Sequence, residues 1–352
     1  MSPPWFGSVM GTGILSTLLA RRTDALSWLL VPATILLIIG AILMVVLSVG
    51  YIVRWERNEA NVQHDIRYLP QVDPAWGQVS MGYLSVGSAA LTVLPQLGVG
   101  LGTAVTIDTA LWWIGTIIGL TTSFTFIAHV MLRQVGQPRP AWGLAAVGPM
   151  VSATTGATLL VHYESPALRF VMLTLTFLCF IIALANAITI FTLAYLTHAH
   201  IGKLPVALAV TSWIPLGVVG QSTAAAVSIE SASELFLAAE YHQYAVAVTE
   251  MYGLVMIVIA FPVIAFAAYE TILGFRRNIP FTPTWWALTF PLGTLALGGE
   301  LLGLLLAEQG SGFAAPVSGV GLAALLLLCC TWTFCAVSTV WAVRIGPRKA
   351  AA

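Results

Sequence analysis

The chain has 352 residues, of which 59% are hydrophobic and only 8% charged, with a formal net charge of zero. Soluble domains are typically about 25% charged, so this composition excludes an ordinary soluble enzyme, and the scattered basic residues exclude a nucleic-acid binder. Transmembrane β-barrels are excluded by pattern, because their strands alternate with period two over about ten residues and the apolar stretches here are continuous.

Ten such stretches follow one another, near residues 5–20, 28–53, 78–98, 104–132, 141–162, 167–197, 204–228, 244–274, 284–307 and 316–343. A bilayer core needs about 20 apolar residues per helix, so each reads as a membrane span. No charged leader with a cleavage site precedes the first stretch, which is therefore expected to belong to the mature fold. The expected architecture is all-α and integral to the membrane. Ten transmembrane helices pair as five helical hairpins, about 1–66, 67–140, 141–202, 203–282 and 283–352, in one domain.

The first, third, fifth, seventh and ninth stretches are shorter and carry Gly or Pro. They contain Gly11 and Gly13, Gly87 and Pro95, Pro149 and Gly156, Pro215 and Gly220, and Pro291 with Gly298 and Gly299. The intervening stretches are longer, and only Pro262 falls clearly inside one of them. Proline removes a backbone donor and bends or breaks a helix. At membrane depth the freed carbonyls must face protein or water, and interrupted helices at corresponding places of a repeat point to a transport path. The five interrupted helices are therefore expected to form an inner ring around a central pseudo-five-fold pore, with the straighter five outside.

Two polar segments break the pattern. Residues 55–76 read as a loop with a short surface helix. Residues 229–243 read either as an amphipathic cap or as a solvated loop. Eleven of the fourteen Lys and Arg residues (Arg54, Arg57, Arg67, Arg133, Arg139, Lys203, Arg276, Arg277, Arg344, Arg348 and Lys349) fall on one side of the spans, against Arg21, Arg22 and Arg169 on the other. The positive-inside rule then places both termini in the cytoplasm of an inner or plasma membrane.

Small hydroxyl residues recur on the interrupted helices. Thr12, Ser16, Ser88, Thr92, Ser152 and Thr294, with Pro149, Pro215 and Pro291, are the candidates for lining the path, although Ser and Thr also serve as ordinary packing residues in membranes. Hydroxyls and helix-end dipoles suit fast, weakly selective anion passage. Glu300 is the most deeply placed ionisable group, either a proton-coupling or gating carboxylate or a packed, hydrogen-bonded one. Asp108 and Glu250 fall near span ends and read as interfacial. The four cysteines lie inside spans and read as packing residues. No histidine pair has helical metal-ligand spacing, so neither a metal site nor a cofactor is expected. Phosphate-loop, dinucleotide, zinc-protease and serine-hydrolase motifs are absent, and no enzymatic activity is expected.

The opening PPWFGSVMGTGI (Pro3 to Ile14) resembles the first-helix signature of the tellurite-resistance/dicarboxylate transporter family. That family comprises bacterial TehA-like proteins, fungal malate and sulfite transporters and the plant guard-cell slow anion channels. WWALTFPLG (Trp285 to Gly293) resembles its ninth-span segment, and WIPLGVVGQ (Trp213 to Gln221) agrees. The resemblance implies five hairpins around a pore, a homotrimer, and passage of small anions such as malate, sulfite, chloride or nitrate. It also implies that Phe290 plugs the pore. A channel or uniporter-like exporter is the first reading. A proton-coupled dicarboxylate or sulfite carrier is the alternative.

Overall fold

A computed structural model describes residues 2–56, 73–132, 136–201 and 204–349. Among them lie ten α-helices: α1 (Phe6–Ala20), α2 (Leu30–Glu56), α3 (Trp76–Val93), α4 (Leu101–Met131), α5 (Leu144–Leu160), α6 (Pro166–Ile201), α7 (Ile214–Ser233), α8 (Ala239–Arg276), α9 (Phe290–Glu308) and α10 (Ala314–Lys349). Eight of them, all but α1 and α3, stand in segments long and apolar enough to cross a membrane. The protein is an all-α membrane protein.

The odd helices are short because proline fixes where they begin. Turns of 3-10 helix, Pro3–Trp5, Pro140–Gly143, Val206–Trp213 and Pro283–Leu288, lead into α1, α5, α7 and α9. Proline at the first positions of three of these turns supplies a preset φ, and its missing N–H would have had no partner there. Pro215 and Pro291 likewise stand in the first turn of α7 and α9. They start helices rather than breaking them. Pro149 lies inside α5 and Pro262 inside α8, and both helices continue through. At the far end of α3, Gly98 takes φ 83° and Val99 N–H closes onto Leu94 O at 3.1 Å, a left-handed stop that glycine adopts without strain.

Each odd helix packs against the next, α1 on α3, α3 on α5, α5 on α7 and α7 on α9, and α9 returns to α1. Each even helix rests on the odd helix before it and on the one after it, with α10 reaching back to α1. Burial follows this order. The most apolar stretch of Pro140–Leu160 is 94% buried, that of Ala239–Arg276 only 22%. A helix apolar all round belongs in the interior, whereas one apolar face turned outward suits lipid. On α2 the outward face is Ile35, Ile38, Ile42, Val45, Val49 and Ile52.

Close approach between odd helices depends on glycine. A Cβ on Gly13 would lie 2.7 Å from Ser85 Cβ, and one on Gly220 would lie 2.3 Å from Leu295 N. Small residues at such crossings let backbones meet where apolar side chains gain nothing by leaving lipid.

One expectation is corrected. Residues 229–243 form no separate cap, since α7 runs on to Ser233 and α8 already begins at Ala239. Asp108, near the start of α4, is turned inward: it is 1% exposed, wedged where Gly87 of α3 leaves room, and among the described residues neither carboxylate oxygen has a hydrogen-bond partner. The loop expected at 55–76 falls mostly outside the described residues, as do Arg57, Arg67, Arg133 and Lys203.

Candidate functional site

A cavity of about 560 Å³ opens between the C-terminal halves of α1, α3, α5, α7 and α9, with α8 adding His242 and Val246 at its edge. Toward the N-terminal ends of the same five helices lies a void of about 10 Å³. Phe290 borders both, and it is the one side chain that does so among the described residues. It is 2% exposed and is the first residue of α9, where the 3-10 turn Pro283–Leu288 gives way to α-helix through Thr289 (φ −98°, ψ −63°).

The other four helices pass the level of this ring in the same way. Met10 on α1, Met81 on α3, Val147 on α5 and Gly217 on α7 face the void. Four residues further on, Ile14, Ser85, Val151 and Gln221 face the cavity. Residues four apart lie on one helix face, so each of these four helices turns one face to both spaces, and Phe290 lies between the two. The layer on the void side is apolar. The layer on the cavity side contains Ser85 and Gln221.

The hydroxyls that line the cavity differ in what they offer. Thr17, Thr92, Thr155 and Thr158 donate to carbonyls of their own helices at 3.1, 2.8, 2.9 and 3.0 Å. Ser85 and Ser88 have no hydrogen-bond partner among the described residues. The serine protons thus lack an acceptor among the described residues, and the threonine protons are engaged.

Charge gathers toward the open end. Arg21 lines the cavity and donates from Nε to Glu300 Oε1 at 2.7 Å, while Arg22 Nη2 lies 3.0 Å from Glu300 Oε2. This cluster sets two guanidiniums against one carboxylate, and of its members only Arg21 lines the cavity. Across the mouth, His242 Nε2 lies 2.8 Å from Glu230 Oε1, and Glu234, Glu308 and His162 share the lining. Partial burial pushes the His162 imidazole below its ordinary value of 6.5. Among the described residues no group of three or more His, Cys, Asp or Glu side chains is placed to hold a metal ion.

The residues expected to line the path divide. Ser88 and Thr92 face the cavity, and Pro291 faces the void. Thr12 does not line the path: its Oγ1 donates to Ser8 O at 2.7 Å and accepts from Trp332 Nε1 on α10 at 2.9 Å. Ser16 donates to Ala33 O on α2 at 2.7 Å. Ser152 accepts from Thr116 on α4 at 2.9 Å, and Pro149 abuts the same helix at Gly119. Pro215 starts α7, and Thr294 returns its hydroxyl to Pro291 O at 2.8 Å. None of these six touches the cavity or the void. Their polar groups are turned sideways to neighbouring helices or to their own backbone, because a buried hydroxyl in a membrane protein must find a partner. Glu300 lies behind the lining, in the ion pairs with Arg21 and Arg22. Gln221 and Thr154 were not singled out from the sequence as lining residues. The i+4 step from Gly217 was the one available signal for Gln221.

A profile of the voltage-dependent anion channel family matches residues 1–340. The chain belongs to this family of anion channels and transporters. It is similar to a sulfite efflux pump of Candida albicans, 22% identical over 332 residues, which cover 86% of this chain and 66% of that longer protein. An uncharacterized transporter of Methanocaldococcus jannaschii is 22% identical over 307 residues, 85% of this chain and 83% of the other. A sulfite efflux pump of Arthroderma benhamiae is 24% identical over 321 residues, 86% of this chain and 81% of the other. The expected resemblance therefore holds along nearly the whole length, and it places the chain in a family of membrane anion channels and transporters.

Proposed function

We propose that this protein is a plugged anion channel that carries small inorganic anions, sulfite among them, out of the cell between the five short helices, with Phe290 as the gate. The observation that carries the reading is the single aromatic ring standing between the 560 Å³ cavity and the 10 Å³ void. Apolar constrictions block by sterics and dewetting, and moving one ring joins the two spaces. Sulfite is favoured by the relatives named as sulfite efflux pumps. Malate and other dicarboxylates remain the wider substrate class implied by the resemblance.

In this reading all ten helices cross the bilayer, the five hairpins stand about a pseudo-five-fold axis, and the basic side with both termini faces the cytoplasm. The cavity then opens outward. The protein assembles as a homotrimer, with one path per subunit. Glu300 serves as an anchor for Arg21 and Arg22 rather than as a proton carrier, because its carboxylate is already held by two guanidiniums.

The test is flux in proteoliposomes under a set voltage and pH gradient, with nitrate, chloride, sulfite and malate. Phe290→Ala should raise flux at least about tenfold, a barrier change of about 1.4 kcal/mol, and flux should follow voltage rather than the proton gradient. A folded mutant with unchanged conductance sinks the gate. Flux that requires the proton gradient moves the protein to the carrier class.

A further inference from the structure

The geometry points to an anion-binding site in the layer directly beyond Phe290, built from the Gln221 amide and the Ser85 hydroxyl and suited to small monoanions rather than dicarboxylates. The inference rests on the channel reading for its location and goes beyond it by naming the recognition groups and the charge class.

Gln221 is 2% exposed and lines the cavity, yet among the described residues its Oε1 has no hydrogen-bond partner. Its Nε2 lies 2.7 Å from Thr154 Oγ1. A buried acceptor left without a donor is unfavourable, and the oxygen and nitrogen of a carboxamide are distinguished only by their network. The Thr154 hydroxyl has little else to donate to, since Met150 O and Gln221 O are both 3.4 Å away, long for a hydroxyl hydrogen bond. Turning the carboxamide by half a revolution lets Thr154 donate to Oε1 at that short separation. The –NH₂ group then occupies the unpartnered position, and its donors call for an acceptor that the described residues do not supply.

Ser85, in the same layer on α3, is the second free donor. Gln221 and Ser85 stand on α7 and α3, which α5 separates, and both line the same cavity. The nearest lining cation, Arg21, lies seven residues beyond Ile14 on α1, two turns further along the path. Neutral donors alone can replace part of the hydration of a single negative charge and still release it. A dicarboxylate would bring a second charge to a layer with no cation to meet it.

The probe is nitrate, with malate as the dianionic comparison. Binding is read without conduction: increasing nitrate should raise the melting temperature of the solubilised wild-type protein, and should do so far less in Gln221→Leu. Gln221→Glu, nearly the same in shape, serves if the leucine variant folds poorly, and should abolish the nitrate effect. Conduction is read in a Phe290→Ala background, where adding Gln221→Leu should cut nitrate permeability about tenfold, the typical worth of one charge-assisted hydrogen bond. Malate permeability should change little, and Ser85→Ala should act in the same direction. Equal nitrate stabilisation in wild type and both Gln221 variants overturns the site even if Phe290→Ala conducts. Absence of flux in Phe290→Ala overturns the channel reading, and the stabilisation measurement then decides the site by itself.

Discussion

Gly220→Ala tests whether the crossing of α7 and α9 sets the width of the path. A Cβ on Gly220 would lie 2.3 Å from Leu295 N and 2.5 Å from Thr294 C, and ordinary contact begins near 3.4 Å. Both obstacles are backbone atoms, so no side chain can swing away, and the two helices must part by about 1 Å. Overpacking of this kind costs about 1–3 kcal/mol, which in a chain of this length should lower the melting temperature by about 1–4 °C. The same displacement has a functional consequence. Gly217 and Gln221 on α7 flank the level of Phe290, and Phe290 with Pro291 begins α9. Parting the helices loosens the seal around the ring and should raise resting anion flux in proteoliposomes. Gly102→Ala is the control, because nothing lies within 4 Å of a Cβ there. A Gly220→Ala protein with wild-type melting temperature and wild-type flux would refute the argument that backbone contact at this glycine sets the pore.

Two further predictions concern charge. Glu300→Gln strands Arg21 and Arg22 with side chains that are 28% and 27% exposed; discounted for that exposure, the loss of stability should be about 1–2 kcal/mol in chemical or thermal unfolding. The added positive charge at the wall should speed anion uptake at low ionic strength and lose its effect at about 1 M salt. A pH dependence of flux that vanishes in this variant would instead support proton coupling. For His162, a folded-state pKa below 6.5 means that the unfolded chain takes up the proton first as pH falls. Its contribution is therefore complete above pH 6.5 and is lost as pH falls through 6.5 toward the lowered folded value. Melting temperatures measured from neutral to acidic pH should decline less steeply in His162→Gln; identical slopes would contradict the assignment.

How much of the site could be read in the sequence depended on the kind of signal. Helix-length apolar runs gave the ten helices, since only a closed hydrogen-bonded helix satisfies its backbone in lipid. The alternation of interrupted and continuous runs gave the inner and outer sets, and Phe290 came from the resemblance around Trp285 to Gly293. Rotation of each buried helix was not legible. A helix apolar on every side has no moment to orient it, and a serine or threonine can face a path, a neighbour or its own carbonyl with the same sequence spacing. Thr12, Ser16 and Ser152 turn to Trp332, Ala33 and Thr116, whereas Ser85 and Ser88 turn to the cavity.

The sequence by itself determined that this is a helical membrane protein in which shorter apolar runs broken by glycine or proline alternate with longer, mostly unbroken ones. Those properties follow from composition, from proline's missing N–H and from the cost of charge in lipid, none of which needs a partner in space. Only the tertiary structure decided that the five short helices close on one another, that Arg21 and Arg22 meet Glu300, and that Gln221 and Ser85 form the polar layer next to Phe290. Each of these depends on which residues of different helices come within contact distance, a property fixed by glycine-spaced backbone approach across the bundle rather than by the local run of the chain.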